Sequence, residues 1–169
     1  AATRGNKVTG ENITANVKTI PDIPILIVTE NIPERFEVRG EIYMEYSVFE
    51  ELNKSMELQG KDSYKNPRNA ASGAIGNHDT SVTRSRKLKF MAYGCHSLSD
   101  EEHLLPDSHY DRLQWLLTVG IPIDSHSRKI TFTQFDDVIE EFTNLRPRLP
   151  YGIDGIVFKV DDVNLHDTI

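Results

Sequence analysis

The chain has 169 residues, of which 38% are hydrophobic, and 26 acidic against 19 basic side chains give it a formal net charge of -7. This composition is ordinary for a globular domain, and no apolar run approaches the roughly 20 residues that a membrane-spanning helix needs. The single cysteine, Cys95, excludes an internal disulfide and a zinc site built from several thiolates, so we expect a cytoplasmic protein without a membrane partner, or a piece of one.

The N-terminal part of the chain predicts a loop and two strands. Residues 1–20 are polar and rich in Gly, Asn and Thr, which is typical of a loop or a hairpin. The β-branched apolar run in IPDIPILIV predicts a short strand over residues 20–28. RFEVRGEIYM, residues 35–44, alternates between polar and apolar side chains and predicts a second strand. Its polar face would carry Glu37, Arg39 and Glu41.

A helix and a third strand are predicted next. Ser47 and Glu50 have the spacing of a capping box, which indicates a helix start. This helix should extend to about Leu58, with Gly60 as its C-terminal stop. KLKFMAYGC, residues 87–95, is rich enough in apolar and aromatic residues to predict another strand.

The C-terminal part predicts two more helices and a last strand. Helical periodicity extends over residues 108–119, with Gly120 as a stop, and over residues 133–145. A short edge segment, residues 121–130, lies between these helices. PYGIDGIVFKV, residues 150–160, predicts a buried strand. Because strands and helices are mixed without a repeating βαβ order, the predicted fold class is α+β with mainly antiparallel sheet.

Charge is distributed unevenly along the chain. The segment from Lys61 to Lys89 holds seven Lys and Arg and two acids, a net charge of +5, which leaves -12 for the remainder. A basic segment on an acidic body suits a local contact with phosphate groups. The alternative is a solvated surface whose cations are balanced by acids from elsewhere in the fold, and charge alone leaves both interpretations open.

Three polar motifs are candidates for ligand contacts. In EVRGE, Glu41 could accept hydrogen bonds from sugar hydroxyls and Gly40 hints at close approach by a ligand, although a solvent-facing strand has the same pattern. In NPRNAASG, small residues permit a tightly packed short helix or turn, from which Arg68 would reach phosphate oxygens or simply water. The glycines around Arg4 in TRGNKVTG could shape a phosphate- or ribose-binding loop, or only a hairpin tip.

The last predicted strand holds two charges in an apolar setting. By alternation Asp154 falls on the apolar face, where a lone carboxylate is costly, and a bend at Gly155 would re-aim it. Lys159 falls on the face opposite Phe158. It must pair with a carboxylate, reach water or meet a ligand, and a structural ion pair is the favoured interpretation of the three.

Five motifs in this order, TRG, EVRGE, NPRNAASG, FMAYG and YGIDGIVFKV, resemble the adenylation domain of the NAD-dependent DNA ligases of bacteria. ATP-dependent ligases and capping nucleotidyltransferases resemble the strand motifs but not NPRNAA. The resemblance implies the ATP-grasp-like nucleotidyltransferase fold of DNA ligases and mRNA capping enzymes, with two antiparallel sheets around a nucleotide cleft. It also implies that a lysine takes AMP from NAD, that AMP passes to the 5′-phosphate of a nick, and that Mg²⁺ assists. Glu41 would bind the ribose.

The same resemblance implies roles for five further residues. Arg68 matches an arginine that acts on phosphates and contacts DNA, and Asp154 an acid that supports metal-assisted catalytic steps and would contact Mg²⁺. Lys159 matches a catalytic lysine beside the adenine and phosphate of the cofactor. Arg4 matches an arginine of nucleotide and nick contacts, and Arg146 an arginine of the nucleotide site just upstream of the last strand.

Parts of the family pattern are missing from the chain. It contains no Lys-x-Asp-Gly, the motif of the family's nucleophile, so that motif is expected before Ala1 or is absent, and the isolated chain is expected not to self-adenylate. The last adenylation motif, the OB-fold, the zinc finger and the other DNA-binding domains would lie beyond Ile169. Asn6 stands where the family usually has Asp, and Gly76 where it has a second functional arginine.

Three other interpretations remain open on the sequence. The chain could be a non-catalytic module that binds nucleotide or DNA, or one subunit of a split ligase whose partner chain supplies the missing motifs. An ATP-dependent nucleotidyltransferase would use ATP in place of NAD. Intact functional positions favour an enzyme whose partners are NAD and nicked duplex DNA: Glu41, Arg68, Asp154 and Lys159.

Overall fold

The computed structural model describes residues 1–6 and 9–166, and the chain divides into two compact units. Unit 1 comprises Ala1–Ile25, Ile42–Phe90 and Pro150–Gly152, and unit 2 comprises Leu26–Glu41, Met91–Leu149 and Ile153–Ile169. Each unit is assembled from three separate stretches of the sequence. None of the described helices combines the length and the apolar character needed to cross a membrane.

The described residues form an α+β protein. Its helices are α1 (Thr14–Val17), α2 (Tyr46–Leu58), α3 (Pro67–Ile75), α4 (Thr80–Ser85), α5 (His109–Thr118) and α6 (Phe135–Leu145). Strands β1 (Phe36–Tyr43) and β2 (Lys89–Ser97) pair as a two-stranded antiparallel sheet. Short 3₁₀ helices lie at Glu102–Leu104, Phe132–Gln134, Arg146–Arg148 and Val163–Leu165. The α+β prediction is confirmed, but within the described residues there is one small sheet and not two.

Helix α3 is the centre of the core of unit 1. Asn66 caps it by accepting a hydrogen bond of 2.8 Å from the backbone N–H of Asn69, and Pro67 stands at the first helical position, where its missing N–H costs nothing. One face consists of alanines that allow close approach and are buried: Ala70, Ala71 and Ala74. They pack with the buried side chains of Ile20, Met44 and Leu88. Short side chains therefore give α3 a rigid base.

Helix α2 has the predicted extent but not the predicted cap. Its N-terminal neighbour is Glu45, whose side chain makes no capping bond, so the capping box of Ser47 and Glu50 was wrong. The carbonyl of Pro150 accepts from the N–H of Tyr46 at 2.8 Å instead, and it satisfies one of the donors that a helix start leaves free. The C-terminal prediction is confirmed, since Gly60 has a left-handed φ of 67°.

Helix α5 organises the core of unit 2. Ser108 caps it through the N–H of Asp111, and Gly120, with φ 81°, follows its end as predicted. Leu113 and Leu116 are buried, whereas the neighbouring apolar residue Leu117 is 49% exposed. The predicted helix over residues 133–145 is also confirmed as α6, preceded by a 3₁₀ turn.

Two predicted strands are absent from the structure. Neither residues 20–28 nor residues 150–160 are assigned to a strand. Several of their apolar side chains are exposed, with 77% of Leu26, 86% of Val28 and 78% of Val157 open to solvent. Apolar alternation reports a local preference, but a strand also needs a neighbour whose backbone completes the ladder, and none of the described residues supplies one.

Candidate functional site

Lys159 is held against strand β2 within unit 2. Its Nζ donates a hydrogen bond of 3.2 Å to the carbonyl oxygen of Tyr93 and lies 5.3 Å from the centre of the Tyr93 ring. The preceding side chain, Phe158, stacks on Phe135 of α6 with ring centres 4.2 Å apart. The predicted alternation therefore holds locally for Phe158 and Lys159, which have different neighbours, although the segment is not a strand.

Among the described residues, the Lys159 ammonium has no carboxylate partner. Burial lowers the pKa of Lys159, and the nearby positive charge of Arg39 lowers it further. The structural ion pair that the sequence favoured is absent, because no described carboxylate lies within ion-pair distance of Lys159. A cation whose partners are a carbonyl oxygen and an aromatic face can still donate a hydrogen bond to an anion.

The polar face of β1 is the one that the sequence predicted. Arg39 forms an ion pair with Glu37, and Nε2 of His96 lies 3.8 Å from the Glu37 carboxylate. Glu41 is exposed, and it has no hydrogen-bond or ion-pair partner among the residues that the structure describes. Its carboxylate is thus available for the hydroxyl groups of a ligand.

Two residues to which the sequence assigned no individual role belong to the same surroundings. Tyr93 offers its ring and its carbonyl to Lys159 and is 49% exposed, while Arg39 acts on Lys159 electrostatically. The signal for Tyr93 was a large aromatic side chain within FMAYG, between Ala92 and Cys95, which are both buried. The contact between Tyr93 and Lys159 could be found only from the folded structure.

The remaining candidates of unit 2 lie on its surface. Asp154 is exposed, and Gly155 does not have a left-handed backbone, so the predicted bend at Gly155 is not what turns Asp154 to water. Arg146 is exposed at the start of a 3₁₀ turn. No hydrogen bond or ion pair within the described parts of the chain joins Asp154 or Arg146 to Lys159.

The candidates of unit 1 are two exposed arginines. Arg68 projects from the first turn of α3, and neither it nor Arg4 has a carboxylate partner among the described residues. The loop around Arg4 is tight, because a side chain at Gly5 would lie 1.8 Å from the carbonyl oxygen of Thr9, and one at Gly10 would lie 2.0 Å from that of Thr3. This geometry is that of a hairpin tip; residues 7 and 8 of the motif lie outside the described residues.

Gly76 ends helix α3 without needing to be glycine. Its φ of -85° and ψ of 2° suit any residue, and an added Cβ would lie 3.6 Å from the carbonyl oxygen of Ser72, an ordinary contact. The arginine that the resemblance places here is therefore compatible with the backbone.

The side chains in the described part of the chain do not form a metal site by themselves. It contains no cluster of three or more His, Cys, Asp or Glu side chains that could hold an ion. Mg²⁺ commonly binds through one or two carboxylates together with the phosphates of its substrate, and exposed carboxylates such as Asp154 suit that mode.

Within the described part of the chain, this α+β protein presents cations without carboxylate partners and the exposed ring of Tyr93. Nucleotide- and nucleic-acid-binding proteins use groups of these kinds to contact phosphates and bases. The comparison with known families is specific: the family model described as the NAD-dependent DNA ligase adenylation domain matches residues 1–169. The chain belongs to this family. Its chemistry is therefore that of an enzyme, a DNA ligase that uses NAD, and a non-catalytic module is not favoured.

Proposed function

We propose that unit 2 binds the AMP part of NAD at Lys159 and Tyr93. The observation that carries this proposal is the Lys159 ammonium, which lies beside the exposed Tyr93 ring and has no carboxylate partner in the described chain. A phosphate would accept from this ammonium in a charge-assisted hydrogen bond, and the adenine could stack on the ring. Glu41 and Arg146 are assigned to the same nucleotide, Glu41 to its ribose.

A second part of the proposal concerns DNA. We assign Arg68 and Arg4 of unit 1 to phosphates of nicked duplex DNA. Both side chains are exposed, and Arg68 lies in the basic segment from Lys61 to Lys89, whose net charge is +5. Arginine suits this task because its planar fork donates two parallel hydrogen bonds to phosphate oxygens.

The chemistry of adenylyl transfer depends on positioning and on cations placed where negative charge develops. We propose that the chain has the nucleotidyltransferase fold in part, and that the nucleophilic lysine comes from a Lys-x-Asp-Gly motif outside residues 1–169 or from a partner chain. Mg²⁺, when bound, would neutralise phosphate charge, and Asp154 is the carboxylate that we assign to it. Lys159 would orient the phosphate of the nucleotide as a hydrogen-bond donor, and Arg68 would donate to a phosphate of the DNA.

The nucleotide assignment is tested by calorimetric titration of the chain with AMP. Lys159→Met keeps the length of the side chain and removes the charge, so the Kd should rise about tenfold or more, as expected for the loss of one charge-assisted hydrogen bond. Lys54→Met, at an exposed position of helix α2, is the matched control. Equal Kd values for the two variants, or no AMP binding by the unmodified chain, would overturn the assignment.

A further inference from the structure

The chain is fastened to helix α5 immediately after Lys159. The carboxylate of Asp161 accepts hydrogen bonds from the N–H of Tyr110 at 2.9 Å and from the hydroxyl of Ser108 at 3.0 Å, both through Oδ1. Its other oxygen, Oδ2, lies 3.0 Å from Nζ of Lys129. One carboxylate thus joins the N-terminus of α5, its cap and a basic side chain.

The backbone around Asp161 strengthens this attachment. The carbonyl of Asp161 accepts from the N–H of His109 at 2.6 Å, and the N–H of Val163 donates to the carbonyl of Asp107 at 2.9 Å. Between these two bonds Ser108 and Asp162 form an antiparallel bridge. Main chain and side chain therefore fix the same short segment.

Helix α5 is in turn tied to strand β2 beside Tyr93. Arg112, which is buried, donates through its guanidinium to the carbonyl of Cys95 at 3.3 Å and to that of Pro106 at 2.6 Å. Cys95 lies two residues after Tyr93, whose carbonyl accepts from Lys159. The contacts consequently close a ring from Lys159 through the chain to α5, to β2 and back to the Lys159 ammonium.

We propose that Asp161 is a positioning residue, which holds the backbone of Lys159 so that its ammonium stays over Tyr93. Sheet hydrogen bonds do not fix the backbone of the segment that contains Lys159, because residues 150–160 are not assigned to a strand. Asp161 is the nearest side chain that follows Lys159 and bonds to a helix. Its importance for nucleotide binding rests on the proposed function, whereas its effect on Lys159 does not.

Two readouts test the positioning role in the whole chain. The first is the pKa of Lys159, measured by NMR with ε-labelled lysine. Burial is the main cause that lowers this pKa, the charge of Arg39 is the second, and His109 is another titratable group nearby. The second is the Kd for AMP. Asp161→Ala removes the anchor, and Asp162→Ala removes the same charge from the next residue, whose side chain bonds to Asn164.

The direction of the pKa change separates positioning from simple electrostatics. Loss of a carboxylate charge alone would lower the pKa of a nearby lysine, whereas release of the Lys159 ammonium into water would raise it. We expect Asp161→Ala to raise the pKa of Lys159 and to weaken AMP binding about tenfold, the loss of one charge-assisted contact. Asp162→Ala should do neither, and Asp161→Asn, which keeps an acceptor oxygen, should restore most of both properties.

The outcomes decide the inference in every case. An unchanged or lowered pKa of Lys159 in Asp161→Ala overturns it. If that variant does not fold, Ser108→Ala removes one bond to Asp161 together with the cap of α5, without a change of charge. It must raise the pKa of Lys159, and no rise overturns the inference. If Asp161→Ala raises the pKa but the unmodified chain does not bind AMP, the proposed function fails and the positioning role stands.

Discussion

Lys159 and Arg68 present a cation to an anion in two different ways. Lys159 is bonded to the carbonyl of Tyr93, so its position is defined before a ligand arrives, at the cost of partial desolvation. Arg68 stands exposed on the first turn of α3, whose alanine face is buried. The first arrangement favours a single orientation of a small nucleotide, and the second favours contact with an accessible phosphate backbone.

Replacement of Arg68 should weaken binding to DNA without an effect on folding. In Arg68→Ala the Kd for nicked duplex DNA should rise about tenfold, and the slope of log K against log salt should fall by about one. The unfolding midpoint should not change, because the side chain is exposed. Arg68→Lys keeps the charge and loses the planar fork, and Arg84→Ala removes a charge from the same basic segment. If Arg84→Ala weakens binding as much, Arg68 has no special role.

His109 should make the stability of the chain depend on pH. Burial lowers its pKa from 6.5 to about 4, and Lys159, His166 and Arg112 add to this effect, against Asp161. The imidazole of the unfolded chain therefore binds a proton at a higher pH than that of the folded chain. The contribution of neutral His109 to the free energy of unfolding is fully present above pH 6.5 and is lost as the pH falls towards about 4. Partial exposure keeps the loss to about 1–2 kcal/mol.

The measurement for His109 is chemical denaturation at several pH values across this window. His109→Gln should flatten the decline between the two pKa values, since the group that titrates is gone. His78→Gln, at an exposed position, should leave the decline as it is. If the decline in the free energy of unfolding persists unchanged in His109→Gln, other titratable groups cause it.

At the scale of elements, the sequence predicts what is local and misses what needs a partner. Helix α5 follows from its apolar periodicity and Gly120, because caps and stops are encoded within a few residues. For α3, which Asn66 caps, the sequence left a short helix and a turn both open. The false strand at 150–160 has the right alternation but no neighbouring strand in the described chain. The contact of Lys159 with Tyr93 joins residues 66 positions apart, which local pattern does not specify.

The C-terminus of helix α3 should accept the arginine that the family resemblance places at Gly76. Since its backbone suits any residue and the Cβ finds ordinary contacts, Gly76→Arg should not destabilise the chain. If the new guanidinium reaches a phosphate, affinity for nicked DNA should rise about tenfold. Gly76→Ala, the control, should leave affinity unchanged and stabilise the fold by about 0.4–1 kcal/mol, read from denaturant unfolding. Destabilisation by Gly76→Ala would contradict this account.

At the scale of the whole chain, the candidate positions are shared between the two units. Unit 1 carries the exposed arginines, Arg4 and Arg68, and unit 2 carries Glu41, Asp154 and Lys159. We propose that all of them serve one reaction, adenylyl transfer, since the chain belongs to the NAD-dependent DNA ligase adenylation domain family. The residue that would form the covalent bond to AMP is the one for which residues 1–169 offer no motif.

The isolated chain should therefore not self-adenylate. Incubation with NAD labelled in its adenylyl phosphate, together with Mg²⁺, should give no labelled band on a denaturing gel, whereas a ligase that contains Lys-x-Asp-Gly should give one. Lys159 is the first residue to consider as a substitute for the missing nucleophile, but its Nζ already donates to the carbonyl of Tyr93. Lys159→Met separates two contrary outcomes. A band that disappears in this variant would make Lys159 itself the nucleophile, and a band that persists would assign the reaction to another lysine of the chain.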